Sequence, residues 1–516
     1  MAHGQLHVLL QDAPYTGDPL ALFAALTRPG DNSVLLESAE IDTKAGTQSL
    51  LMLDACVRLV CDHHSVTLTA LNANGLPALD LVEQELGGVR QAHTLVVTVP
   101  AADANLDEDS RLKAPSVLET LRLILTRFTA DQGQQHLFMA GTFAYDLIAA
   151  FEQLPEVPEG INHCPDFSFY LAETLITLDH LQERCQLAAC VFDPAEQGRL
   201  QARLGQLAAA CGEVHAEPLA ELPFTGQVQV NKSDAEFRAD VDTLKGHIMV
   251  GDIFQVVPSR CFSLPCPSPL AAYRKLKQTN PSPYMFYVND QDFILFGASP
   301  ESSVKFDHAS RQVEMYPIAG TRRRGFNPDG SVNLDLDGRI ELELRRDEKE
   351  TAEHLMLVDL ARNDIARISE PGSRYVKDLL SVDRYSHVMH LVSRVVGTLR
   401  ADLDALHAYQ ACMNMGTLTG APKIRASELI RQVERRRRGS YGGAVGYLNG
   451  LGDMDTCIVI RSAFVSHGLA HVQAGAGVVY DSQPQAEADE TRNKAAAVLN
   501  AIALAHGKTL AEVTHG

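Results

Sequence analysis

The sequence is short of positive charge. Its 45 Lys and Arg face 65 Asp and Glu, a formal net charge of −20. A nucleic-acid partner needs a basic face, so that class is excluded. A small anionic substrate is not, because a local Arg/Lys cluster overrides the net field. No run of about 18 apolar residues occurs, which excludes a membrane-spanning helix. The ten cysteines form no CxxC and no Cys/His spacing suited to zinc. Scattered through a chain of this length, they read as free thiols of a reducing cytoplasm. The opening MAHGQLHVLLQDAPY lacks a cationic start and a long apolar core, so no secretory signal is expected. Low-complexity tracts and obvious tandem repeats are missing as well. No glycine loop runs into Gly-Lys-Ser/Thr, so a P-loop reading fails. Gly475-Ala476-Gly477 lacks the third glycine of a dinucleotide fingerprint, and no GxSxG elbow occurs.

What is present is an ordinary globular composition over 516 residues, enough for two or more domains. Asp18-Pro19 places an N-cap and a first-turn proline ahead of a helix. Ser116 with Glu119, and Ser233 with Glu236, have capping-box spacing. Strands are expected at 33–38, 65–71, 93–99, 167–178 and 185–192. Residues 213–226 carry two prolines and no periodicity, and read as a linker joining an N-terminal region, 1–212, to a C-terminal one, 227–510. Beyond it strands are expected at 253–257, 293–296, 303–306 and 314–318. Helices follow at 347–362, 402–414 and 423–435, then strands at 443–448, 456–464 and 470–474 and a final helix at 485–502. Strands in runs and helices in runs argue an α+β class rather than strict βαβ alternation.

Two helices offer carboxylates at matching spacing: Glu350 and Glu353 in one, Glu487 and Glu490 in the other. Facing each other, they could hold one hard divalent cation such as Mg²⁺, which takes oxygen ligands and usually few protein carboxylates. The same spacing also suits solvated faces laced with Glu–Lys and Glu–Arg pairs, its commoner use, so both stay open here. Four glycine-flanked loops crowd the second half: Gly320-Thr321, Gly416 to Pro422, Gly439 to Gly443, and Ala474 to Gly477. Small residues let backbone approach a ligand, and successive N–H groups cradle an anion; tight turns are the plainer alternative. The run Arg435 to Arg438 reads as a solvated helix end, with a docking surface as the alternative. His390 lies among apolar residues, either as a satisfied core group or as an acid/base.

Taken together, these motifs resemble the component I family of the anthranilate synthases, among the chorismate-utilising enzymes. The likeness runs from LLES at 35–38 to EADETRNKA at 487–495. Its most specific pieces are NPSPYMF (280–286), ASPESS (298–303), PIAGTRRRG (317–325), AEHLMLVDLARND (352–364), DRYSHVMHLVS (383–393), GTLTGAPK (416–423) and GSYGGAVGY (439–447). The resemblance implies a large two-part α/β sandwich, its mostly antiparallel sheets flanked by helices. It implies conversion of chorismate and ammonia to anthranilate and pyruvate, the first committed step of L-tryptophan biosynthesis. Mg²⁺ would be held by Glu353 and Glu490. Chorismate would meet Gly320, Thr321, Tyr447, Arg461, Gly475, Ala476 and Gly477. Glu301 matches the acid for the departing hydroxyl, His390 the histidine of pyruvate elimination, and Thr417 a neighbour of the substrate.

The resemblance also separates relatives. Aminodeoxychorismate synthases carry Lys in PIKGT, where this chain has Ala319. Isochorismate and salicylate synthases carry a water-activating Lys where this chain has Gln255, and a glutamine cannot act as that base. A catalytically inactive tryptophan sensor is the remaining alternative. The N-terminal region, 1–212, resembles the family's regulatory half, implying feedback inhibition by tryptophan through Ser38 with Pro283, Tyr284 and Met285. Relatives often have a second Lys about four residues beyond Lys44, where this chain has Gln48. No cysteine sits in a Gly-flanked nucleophile turn, so a separate glutamine amidotransferase subunit is implied, in a heterodimer or heterotetramer.

Overall fold

The computed structural model describes residues 4–38, 48–103, 105–213, 222–385 and 388–514. The short apolar run of Ser33–Glu37 is buried because it lies between two partners. One is the long strand Gln48–Asp62, the other Tyr284–Asn289 from beyond the expected linker. Phe138–Phe143, buried at every position, is likewise caught between Phe167–Asp179 and Ala444–Asn449. A strand buried on both faces reads as continuous apolar sequence rather than as alternation. These pairings weld the chain on either side of the linker into one hydrogen-bonded system of twenty-three strands. Among the described residues its pairings are antiparallel apart from Gly4–Leu6 against Phe128–Ala130. Helices cover it: Glu348–Ala366 packs on Val388–Thr398, and Pro484–Ala505 packs on Pro269–Thr279 and Leu469–Gly475. The expected α+β sandwich is what folds.

The caps behave unequally. Asp18 accepts from the Ala21 N–H at 2.9 Å and starts the helix Pro19–Leu26. Ser233 and Glu236 close a full capping box. Ser116 does not: its hydroxyl accepts from the Leu118 N–H at 3.3 Å, and the helix Glu119–Arg127 begins uncapped by a side chain. The helix Leu334–Arg346 is absent from the sequence-based expectations, because its leucines and Ile340 alternate with charged residues as in a strand. Local capping decides otherwise, with the Asn333 side chain accepting from Leu336 N–H at 3.0 Å. No helix among the described residues is long and apolar enough to cross a membrane. All ten cysteines are buried and free.

Candidate active site

The strand Ile318–Arg323 lies along Val388–Thr398 and breaks register between Ala319 and Thr321. Gly320 makes the break, at φ +67, and an added Cβ would come within 3.2 Å of the Glu350 carboxylate. The bulge sets Thr321 opposite His390, and the Thr321 hydroxyl lies 3.0 Å from His390 Nδ1. The Tyr385 ring meets the imidazole edge-on at 5.2 Å. Burial and the Arg461 charge push His390 down to about 4, so the ring is neutral at pH 7.

Glu301 leads into the strand Ser302–Asp307 and is 4% exposed. Burial drives its carboxyl up to about 8 against the pull of Thr417, Arg461 and Lys494. The Thr417 hydroxyl donates to Glu301 Oε1 at 3.0 Å. Arg461 adopts the left-handed backbone at φ 49, uncommon for a residue with a side chain. Its charge is felt by Glu301, His390, Tyr441 and Glu490, and burial holds its own pKa down. A guanidinium so placed is a ready partner for a carboxylate.

The two carboxylate helices do face each other. Asp347 caps the first by accepting from Glu350 N–H at 3.0 Å. Glu353 is pushed up to about 7, chiefly by burial and then by Glu350, Glu487 and Glu490. Its Oε1 is buried without a hydrogen-bond partner. Glu487 is also raised, by burial and by Glu490. Glu490 pairs with Lys494 at 2.5 Å, and Lys494 Nζ donates to Gly475 O at 3.1 Å. Lys349 Nζ lies 3.8 Å from Glu353 Oε1. Mutually repelling carboxylates, one with an oxygen free of hydrogen bonds, suit a hard divalent cation such as Mg²⁺.

The glycine loops converge on this place. Gly475 lies 2.9 Å, measured from an added Cβ, from the Tyr441 hydroxyl, and Gly477 lies 2.8 Å in the same way from Gln255 Nε2. Gly442 abuts Leu418 of the Thr417 loop. Tyr447 is elsewhere. It stacks on Phe138 at 5.2 Å and lines a second cavity of about 790 Å³. That cavity gathers Ser38, Pro283, Tyr284 and Met285 with Gln48, Lys305 and Asp455; Lys44 lies outside the described residues. The tyrosine beside Arg461 and Gly475 is Tyr441, missed in the sequence although it sits in the same GSYGG loop. The reading of Arg435 to Arg438 as a solvated end holds for Arg435 and Arg436 alone. Arg437 pairs with buried Asp166, and Arg438 is 2% exposed.

A neutral imidazole, a protonated carboxyl, an arginine and a cluster of carboxylates around glycine loops are a set suited to an anionic substrate and acid–base chemistry. The chain belongs to the chorismate-binding enzymes: the sequence profile of the family described as "chorismate binding enzyme" matches residues 84–500. Its relatives narrow the group to component 1 of anthranilate synthase. The chain is 59% identical to that protein of Vibrio cholerae serotype O1, covering 97% of each chain. With that of Escherichia coli strain K12 identity is 55%, over 97% of this chain and 98% of the other. The crystal structure of component I from Streptococcus pneumoniae matches with a TM-score of 0.68 at 30% identity, over 89% and 94% of the two chains. The menaquinone-specific isochorismate synthase of Escherichia coli shares the fold, with a TM-score of 0.66 at 18% identity over 97% and 95%.

Proposed function

We propose that the chain is an anthranilate synthase component 1, converting chorismate and ammonia to anthranilate and pyruvate. The observation that carries this is the two pairs Glu301–Thr417 and His390–Thr321, both within reach of the Arg461 charge. Arg461 binds a substrate carboxylate, and Tyr441 with the Gly475-Ala476-Gly477 backbone holds the rest. Glu353 and Glu490, with Glu487 beside them, would hold Mg²⁺. Bound Mg²⁺ supplies fixed positive charge to the ring carboxylate. Ammonia donates its lone pair to C2 while the C4–oxygen bond breaks. Protonated Glu301 gives its proton to the leaving hydroxyl, which departs as water. The Thr417 donor then steadies the new carboxylate. The amine loses its extra proton, and the amino intermediate remains. His390, neutral, stands beside the elimination step. His390 takes the C2 proton as the enolpyruvyl C–O bond breaks, the side chain leaves as the enolate of pyruvate and is then protonated at its methylene carbon, and the ring becomes aromatic.

Ala319 leaves no lysine to attack C2, and Gln255 provides no base for water, so ammonia is the nucleophile. The name component 1 supports a second subunit, a glutamine amidotransferase delivering ammonia. The second cavity is the tryptophan site: its size suits an amino acid, and its lining includes Ser38, Pro283, Tyr284 and Met285. The test is the fluorescence of anthranilate on mixing the purified chain with chorismate, ammonium at alkaline pH and Mg²⁺. Mg²⁺-dependent anthranilate is expected. None from the folded chain, with the amidotransferase subunit present as well, overturns the reading and leaves the tryptophan sensor.

A further inference from the structure

Arg438 lies under the active site and touches three of its walls. Nη1 donates to the Leu418 carbonyl at 2.8 Å, one residue past Thr417. Nη2 donates to the Val257 carbonyl at 2.6 Å, two residues past Gln255. Nε and Nη2 grip both oxygens of Glu434, at 2.9 and 2.6 Å. Glu434 in turn accepts from the Ser259 N–H and hydroxyl, both at 2.8 Å, and Ser259 stands opposite Gly475 in the sheet. The guanidinium plane packs over Tyr145 at 4.6 Å and Tyr441 at 5.5 Å. Tyr145 reaches back to the same loop, its hydroxyl donating to Thr419 Oγ1 at 3.4 Å.

Such a group is costly to bury. An ionised side chain at 2% exposure persists only when paired and hydrogen-bonded around its whole fork. Apolar residues of similar volume would fill the space as stably. They could not join two loop carbonyls and a carboxylate in one plane. The joined pieces are the Thr417 loop, the strand of Gln255, the backbone beside Gly475 and the ring of Tyr441. Each meets the substrate pocket through a different residue, and Arg438 itself does not.

We infer that Arg438, with Glu434, is a positioning residue that holds Thr417 in register with Glu301 and fixes the Tyr441 and Gly475 wall. The inference rests on the anthranilate synthase reading and deepens it. Loosening the clamp lets the Thr417 hydroxyl drift from Glu301. Glu301 then loses a donor to its charged form, and its proton is held more tightly. The signature is therefore a slower chemical step together with an alkaline limb displaced upward.

The test compares wild type with R438K, E434Q and a distant control, R58K. Arg58 makes a buried two-point grip on Asp290, away from the residues of the site. Anthranilate formation is measured per folded molecule across pH, with free ammonia held constant. R438K is expected to lower kcat by about 10²-fold, the scale of an ångström misplacement, with KM for chorismate moved far less. Its alkaline limb shifts to higher pH. E434Q shifts the same way by less, and it decides the matter if R438K is not recovered folded. R58K lowers Tm but leaves kcat and the limb in place. A clamp variant that behaves like R58K overturns the inference. A wild type that makes no anthranilate overturns the reading beneath it instead.

Discussion

Burial drives Glu301 and His390 in opposite senses. It penalises the charged form of each, so the carboxyl rises to about 8 and the imidazole falls to about 4. The sign follows. His390 is an unprotonated base above about 4, and Glu301 is a protonated acid below about 8. With free ammonia held constant and Mg²⁺ saturating, kcat/KM for chorismate should stay level through neutral pH and fall as pH passes about 8, where the acid is lost; a rate still climbing beyond that range removes Glu301 from the acid role. A second residue-scale prediction concerns two tyrosines six positions apart. Y441F should raise KM for chorismate several-fold or lower kcat, because Tyr441 stands beside Arg461 and Gly475. Y447F should leave turnover alone and weaken tryptophan inhibition, because Tyr447 lines the other cavity. Steady-state kinetics with and without tryptophan decide between them, and the reverse pattern would reinstate Tyr447 in the chorismate site.

Among the elements, the helices Glu348–Ala366 and Pro484–Ala505 carry the carboxylates of the proposed cation site. Neither holds it alone, since Glu353 Oε1, without a hydrogen bond and 3.8 Å from Lys349 Nζ, also feels the carboxylates of Glu487 and Glu490 on the opposite helix. E353Q and E490Q should each weaken Mg²⁺ binding by an order of magnitude or more in calorimetry. The circular-dichroism melt should change little, because each change removes one charge from a repelling cluster and gives up only a partly exposed pair, with Lys349 or Lys494. Full Mg²⁺ affinity in either variant would take that residue out of the metal site. The spacing of both carboxylate pairs is legible in the sequence. Their facing one another is not, because i,i+3 spacing says which residues share a helical face and nothing about what that face meets. The helix Leu334–Arg346 is illegible for a related reason: its alternating leucines imitate a strand, and only the Asn333 cap and the burial of Leu344 and Asp337 settle it.

For the whole molecule, the candidate active site and the cavity of about 790 Å³ share a strand. Val388–Thr398 carries His390 to one and Val392 and Arg394 to the other. An inhibitor in the second cavity that displaces this strand would alter the first, which gives coupling a physical route. S38A should therefore raise the tryptophan concentration needed for half-inhibition while leaving uninhibited turnover intact. Unchanged inhibition would sink the assignment of the cavity. Gln48 lines the same space, and the cations among its described lining are Lys305, which pairs with Asp455 at 3.6 Å, and Arg394, which pairs with Glu314.

The sequence by itself determined the family, the α+β class, the glycine loops and most of the chemistry-bearing residues, because those are carried by local motifs with little tolerance for substitution. It also separated Ala319 and Gln255 from the lysines of other chorismate users. Only the tertiary structure decided which residues meet. It moved Tyr447 out and brought Tyr441 in, since Tyr441 stands in the turn before the strand Ala444–Asn449, beside Gly475, whereas Tyr447 lies within the strand and lines the other cavity. It turned Arg438 from an apparent solvated end into a buried clamp, since a run of arginines looks the same in sequence whether water or carbonyls surround it. It also joined the chain across the expected linker, because a strand such as Ser33–Glu37 buries both faces only when partners distant in sequence close over it.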